Sequence, residues 1–216
     1  MYRWLLLGLT ACGDNRVVPD AAPAHDAPDT PRLPDLVLVG ALMENTIVVA
    51  PGTFAANDCE VVEQCVDAPG TRVLLRFDTV TANLGDGDLV LGPPPPAGIS
   101  DDTFVWSPCH GHHHVAGYAT YELHDANGLV VAGHKQSFCL HDVQAVRPEA
   151  ASHNYTCANQ GMSAGWADVY NRTLPCQWID VTGLSGIFTL RVEVNASRKL
   201  VERDGTNNAW SVDVSL

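Results

Sequence analysis

Two runs near the C-terminus set the tightest limit on the fold. Phe188, Leu190, Val192 and Val194 alternate with Thr189, Arg191, Glu193 and Asn195, and Trp210, Val212, Val214 and Leu216 alternate with Ser211, Asp213 and Ser215. A period of two places every apolar side chain on one face of an extended strand, whereas a helix would scatter them round its axis. Shorter runs of the same kind, bounded by Gly, Asp or Pro, occupy residues 73–77, 89–91, 118–123 and 129–132. Asp125-Ala126-Asn127-Gly128 separates the last two and reads as a hairpin turn, because Asn and Gly tolerate the left-handed backbone a tight turn needs. No segment carries a convincing amphipathic helical period, no internal repeat is visible, and the prolines at 93–96 mark a loop. The expectation is an all-β chain, a β-sandwich with long loops and little helix.

The N-terminal stretch is different in kind. Arg3, a short apolar run and small residues before Cys12 make a secretory signal over residues 1–11; a membrane span would need about 20 apolar residues. Leu9-Thr10-Ala11-Cys12 resembles the bacterial lipoprotein box, which implies lipidation at Cys12. Residues 12–34 are then a Pro/Asp/Ala tether, too poor in apolar surface to offset its ordering entropy. Residues 35–216 form a plausible single domain. The expected setting is extracytoplasmic, a bacterial membrane-anchored lipoprotein in the periplasm or at the cell surface, touching the membrane through its lipid alone.

Net charge is −13, and without residues 1–11 it becomes −14, with 11 basic against 25 acidic side chains. Nucleic-acid binders carry basic patches, so no nucleic-acid partner is expected. The balance suits cationic substrates, and it equally suits plain solubility. Seven cysteines less Cys12 leave six, Cys59, Cys65, Cys109, Cys139, Cys157 and Cys176. An even set in an exported chain reads as disulfides. Spacing alone leaves every connectivity open, with Cys59 and Cys65 the natural local pair.

Trp106-Ser107-Pro108-Cys109-His110-Gly111-His112-His113-His114 holds four of the nine histidines within five residues. On an extended strand His110, His112 and His114 share one face and His113 takes the other. Three imidazoles on one face suit a first-row transition metal, copper above all. Four residues of straight strand span roughly 13 Å, too far for comfortable ligation by the outer pair, so the strand must bend. Gly111 is the residue that permits it.

Downstream come Gly133-His134-Lys135-Gln136-Ser137-Phe138-Cys139-Leu140 and Cys176-Gln177-Trp178-Ile179-Asp180. Together with the histidine tract these resemble the catalytic domain of the lysyl oxidase family. Arg72-Val73-Leu74-Leu75-Arg76-Phe77 and Thr206-Asn207-Asn208 match as well, so the resemblance runs through five motifs in one order. It implies a copper-dependent quinoprotein amine oxidase that takes a primary amine, peptidyl lysine or a small amine, to an aldehyde with O₂, releasing H₂O₂ and ammonia. Copper would sit on His110, His112 and His114. The cofactor, lysine tyrosylquinone, would be built from Lys135 and Tyr170; without the resemblance nothing separates Tyr170 from Tyr118, Tyr121 or Tyr155. Asp168, Asp180, His134 and His141 are candidates by type for the general base.

The resemblance further implies the pairs Cys59–Cys65 and Cys109–Cys157. The family partners of Cys139 and Cys176 are absent, Trp166 and Ala145 standing near those places, which leaves these two to pair with each other. Glu202, Asp204, Asn207 and Asn208, with Asp35 and the carbonyl of Leu36, match a calcium site of the family, and hard oxygen ligands suit that ion. The alternative there is an Asx-rich turn. The chain departs from the family where Ser107-Pro108 replace a histidine between the Trp and the Cys, and at Thr120, where another histidine is expected. Two other readings stay open: a copper-binding surface lipoprotein without turnover, indifferent to Lys135 and Tyr170, and a structural β-sandwich in which the histidines are incidental.

Overall fold

In the computed structural model, which describes residues 31–133, 138–150 and 152–216, the alternating runs become strands. In chain order the first half holds β1 (Leu36–Leu38), α1 (Gly40–Glu44), β2 (Val48–Phe54), α2 (Cys59–Val62), β3 (Gly70–Arg76), β4 (Thr79–Asn83) and β5 (Leu89–Gly92). Then follow β6 (Phe104–Ser107), β7 (His112–Val115), β8 (Ala119–Asp125), β9 (Gly128–Gly133) and β10 (Gln144–Ala145). The last are β11 (Gln160–Met162), β12 (Trp166–Tyr170), β13 (Trp178–Asp180), β14 (Ile187–Val194) and β15 (Ala209–Ser215). The domain is all-β, and its two helices have five and four residues. No helix among the described residues is long and apolar enough to cross a membrane.

Two antiparallel four-stranded sheets, β1-β4-β12-β10 and β15-β14-β8-β9, form the body. A three-stranded sheet β13-β3-β2 and the ribbons β5–β11 and β6–β7 complete it. Phe188, Leu190, Val192 and Val194 all point inward from β14, as their spacing predicts. They share one core with Leu36, Val80, Ala82, Ala167, Tyr170, Tyr121, Leu123, Leu75, Phe77 and Ile179. Each large aliphatic buried there contributes about 2 kcal/mol of transfer free energy. Asp125 and Gly128 pair across the β8–β9 turn, with Gly128 at φ +122° and the Asp125 carboxylate accepting the Asn127 amide.

β4 could not be read from alternation, because all five of its residues are buried. It is the inner strand between β1 and β12, covered on both faces. Its polar side chains survive there because they are bonded. The Thr79 hydroxyl lies 2.6 Å from that of Tyr121 and accepts Gln177 Nε2, while Asn83 Nδ2 donates to the carbonyls of Gly87 and Met162.

All six cysteines of the domain are bridged, but none of the expected pairings holds. The bridges are Cys59–Cys109, Cys65–Cys176 and Cys139–Cys157. Between Cys59 and Cys65 the chain turns through α2 and the left-handed Gln64, at φ +61°. Cys59 is thereby delivered to the turn that follows β6, and Cys65 to a small second core with Phe54, Leu74, Cys176 and Trp178. Cys157 lies in a tight turn closed by Thr156 and Asn159, which presents it to Cys139.

Asp180 closes β13 onto the start of β3. Burial alone would raise its pKa, but hydrogen bonds from Thr182, Arg72 and the Asp67 amide outweigh it and hold the carboxyl below the ordinary carboxylate range. A depressed folded pKa stabilises the fold above the unfolded value of about 3.9 and ceases to do so as pH falls through the folded one. Asp180→Asn is therefore expected to lower the Tm at neutral pH, with the gap to wild type narrowing below about pH 4. A gap independent of pH would contradict this.

Candidate metal centre and cofactor site

β6 and β7 pair as a hairpin with Ser107 opposite His112, Trp106 opposite His113 and Val105 opposite His114. Residues 108–111 form its turn, and Gly111 sits at φ +68° with open space where a Cβ would go. That left-handed residue supplies the required bend and swings His110 back beside the strand. The ring centroids of His110, His112 and His114 stand 4.8 to 5.6 Å apart, and a nitrogen of each lies within 4.8 Å of the other two. His112 Nε2 and His114 Nε2 are 3.1 Å apart. His113 points the other way, its ring edge-on to Trp106 and its Nε2 2.8 Å from the Ile99 carbonyl. Gly111→Ala should cost about 1 kcal/mol of stability, read from the denaturant midpoint, since strain and not crowding opposes the Cβ.

The trio fits a transition metal by its chemistry. His112 is held neutral chiefly by burial, which lowers its pKa, and neutral imidazole is the ligand form. Its Nδ1 lies 3.1 Å from the His110 carbonyl; donation there leaves Nε2 as the acceptor. His110 Nε2 is buried and has no hydrogen-bond partner. Such an orphaned nitrogen costs free energy unless something binds it.

Phe138 joins this centre to Tyr170. Its ring is 4.9 Å from that of His112 and 6.4 Å from that of Tyr170, and Tyr170 Oη donates to the Phe138 carbonyl at 3.0 Å. Tyr170 is 2% exposed. Its pKa is pushed up, first by burial and then by Asp168, which hydrogen-bonds the same phenol. Asp168 and Tyr170 are two apart on β12, hence on one face. Lys135 and His134 lie outside the described residues, as does Cys12. Lys135 is nonetheless three residues from Phe138, a stretch of at most about 11 Å. The other tyrosines are engaged elsewhere: Tyr121 with Thr79 and Gln177, Tyr155 with Asp88, while Tyr118 stacks edge-on against Tyr170. Of the candidate bases, Asp168 is beside the phenol and Asp180 is tied to Arg72. His141 is close to the bridged Cys139 and Cys157.

A cavity of about 520 Å³ opens beside the centre, walled by Pro94, Pro95, Trp106, His112, Phe138 and Gln160 among others. Phe138, Glu63 and Asp168 are parts of this site that the histidine pattern alone does not reveal. Glu63 reaches the site because the Cys59–Cys109 bridge carries the turn after α2 to His110, a pairing the sequence does not indicate.

At the far edge, Glu202 Oε1 accepts the Asn195 and Asn208 amides and Oε2 accepts the Leu36 amide. Asp35 accepts Asn207 Nδ2 and Arg203. The Oδ1 atoms of Asn207 and Asn208 are buried without a donor. Two carboxylates beside two orphaned carbonyl oxygens are a donor set that a hard cation such as calcium fits. Asp204 is exposed and engaged in its own turn, accepting the Thr206 amide and hydroxyl.

The fold and this arrangement define an all-β domain with a three-histidine cluster able to hold a metal ion beside a buried tyrosine. The lysyl oxidase family model matches residues 33–216. Lysyl oxidase homolog 3B of Danio rerio is 38% identical over 189 residues, covering 81% of this chain and 22% of that protein. Lysyl oxidase homolog 3 of Homo sapiens is 37% identical and lysyl oxidase homolog 4 of Homo sapiens 36%, each over 81% of this chain and 24% of theirs. The chain belongs to the lysyl oxidase family, a family of amine oxidases. It spans about a quarter of the length of the curated relatives it matches. Among solved structures, the CARDB domain of a Pyrococcus furiosus protein aligns over 85% of this chain at 11% identity and a TM-score of 0.29, too slight a likeness to speak to fold or function.

Proposed function

We propose that this domain is a copper-dependent amine oxidase that uses a lysine tyrosylquinone formed from Lys135 and Tyr170 to convert primary amines, free or in lysine-containing proteins, to aldehydes. The observation that carries the reading is the unbroken packing of the His110–His112–His114 centre, Phe138 and Tyr170. Copper would be held by the three imidazoles and would supply the O₂ chemistry that makes the cofactor. The quinone, once present, supplies the electrophile that a primary amine attacks.

The chain's own groups do the rest. The Phe138 carbonyl fixes the Tyr170 hydroxyl, and Asp168 stands ready to take or hold a proton there. The neighbouring cavity, with apolar walls of proline, tryptophan and phenylalanine, would hold an amine's carbon chain and exclude water. Calcium at Asp35, Glu202, Asn207 and Asn208 would join β1 to the segment before β15. Export and anchoring through Cys12 would place the enzyme outside the cytoplasm with O₂ and its substrates. The test is a peptide map by mass spectrometry of the full chain after copper and air. A peptide joining Lys135 to Tyr170 is expected. Stoichiometric copper without that link would instead make this a metal-binding lipoprotein without turnover.

A further inference from the structure

One buried carboxylate beside the metal centre has no role in the reading above. Glu63 follows α2, its amide closing a helical turn onto the Cys59 carbonyl, so it stands one turn beyond Cys59. The Cys59–Cys109 bridge ties that turn to the residue before His110. The result is a short contact: Glu63 Oε2 lies 3.2 Å from His110 Nδ1, with side chains 13% and 9% exposed. Neither atom completes a well-aligned hydrogen bond, and both are buried with no other partner. The second carboxylate oxygen accepts the Ser107 hydroxyl at 2.5 Å, and the same Ser107 oxygen accepts the His110 amide at 3.0 Å. Ser107 lies in the stretch where the family resemblance places a histidine.

We propose that Glu63, steadied by Ser107, is the positioning residue of the metal centre, accepting the Nδ1 proton of His110 and aiming Nε2 at the copper. The inference rests on the copper reading of the histidine trio. A carboxylate that accepts one ring N–H fixes the tautomer and the ring plane and makes the opposite nitrogen a better ligand. Glu63 Oε2 and His110 Nδ1, 3.2 Å apart, are within reach of such a hydrogen bond, which a small turn of the ring would align. His112 has a counterpart in its own Nδ1 contact with the His110 carbonyl. Glu63 thus gives His110 a support from behind like the one His112 has. No other described carboxylate makes an ion-pair contact with His110.

The experiment is a Cu(II) titration of the metal-free full chain against a competing chelator, with electron paramagnetic resonance of the loaded protein. Wild type should bind one copper with three coupled nitrogens. Glu63→Ala should weaken affinity roughly 10- to 100-fold, the range for loss of an outer-shell partner of a ligating histidine. Ser107→Ala should weaken it less, and both variants should show an altered copper hyperfine splitting. In a His110→Ala background, Glu63→Ala should change affinity less than twofold, because its effect passes through that ring. Thermal unfolding of the metal-free variants reports whether each is folded. Equal affinity of Glu63→Ala and wild type overturns the proposal, as does an undiminished loss in the His110→Ala background, which would mark a general structural role. Spectra showing Glu63 itself bound to copper overturn it too. A wild type that binds no copper overturns the reading of the histidine centre and this inference with it, whereas copper bound indifferently to Glu63 overturns this inference alone.

Discussion

Tyr170→Phe is expected to abolish oxidation of primary amines, by at least roughly a thousandfold, while leaving copper affinity within twofold of wild type. The size of the effect follows from what is removed. The phenol oxygen is the atom without which no quinone can form, and the hard step belongs to the cofactor, not to a group that could be replaced piecemeal. The side effects should be small. Tyr170 Oη meets the Phe138 carbonyl and the Asp168 carboxylate, so its loss costs about 1–2 kcal/mol and leaves the ring in place against Tyr118 and Phe138. The Phe138 ring lies between the histidines and Tyr170, so the metal centre should sense the change little. Tyr118→Phe and Tyr121→Phe are the controls. Both rings are buried and both phenols titrate above the ordinary range, chiefly through burial, so neither burial nor acidity distinguishes Tyr170. What distinguishes it is contact with Phe138, three residues along the sequence from Lys135. A Tyr170→Phe chain that still oxidises amines, or a cross-link from Lys135 to another tyrosine, would contradict the assignment.

The parts of the fold that could be read in advance are those where one face is buried and one wet. β14 is the clearest: its buried set, Phe188, Leu190, Val192 and Val194, coincides with its apolar set, and its partner Val214 faces Phe188 in register. β4 shows where the method stops. A strand buried on both faces has no solvent side to mark, and its Thr79 and Asn83 look like loop residues until their partners from β8, β11 and the segment before β13 are in view. The bend at Gly111 was legible because it is a demand of geometry that only a few residue types meet. The disulfides were not. Pairing depends on where α2 and Gln64 turn the chain between Cys59 and Cys65, and no local pattern encodes that direction. Asp180, a candidate base by residue type, is held by Arg72 and Thr182, whereas Asp168 meets the phenol because it shares a strand face with Tyr170.

The corrected disulfides carry the second large expectation. The Cys65–Cys176 bridge spans 111 residues of sequence, and even with the other two bridges shortening the loop, its removal frees enough chain entropy in the unfolded state to cost about 4 kcal/mol. The native side adds to this. Both sulfurs lie in the small core under Phe54, Leu74 and Trp178, and Cys176 is fully buried at a left-handed φ of +58°. Trp178 Nε1 donates to the Cys65 carbonyl at 2.9 Å, and the Arg76 guanidinium stacks over the same indole at 4.2 Å. A Cys65→Ala/Cys176→Ala chain should therefore lose a large share of the roughly 5–15 kcal/mol that keeps a typical domain folded, a fall in Tm on the order of 10 °C. By contrast, Cys139→Ala/Cys157→Ala opens a separation of only 18 residues at the surface and should cost less, about 3 kcal/mol. The order of these two losses tests the connectivity itself. Under the set Cys59–Cys65, Cys109–Cys157 and Cys139–Cys176, either double variant would instead break two bridges and leave two odd thiols, and the two losses would be of similar size. Thermal unfolding with a thiol count on the denatured, unreduced variants separates the cases: with the bridges as observed, neither variant should show a free thiol among the domain's cysteines, Cys12 being counted apart.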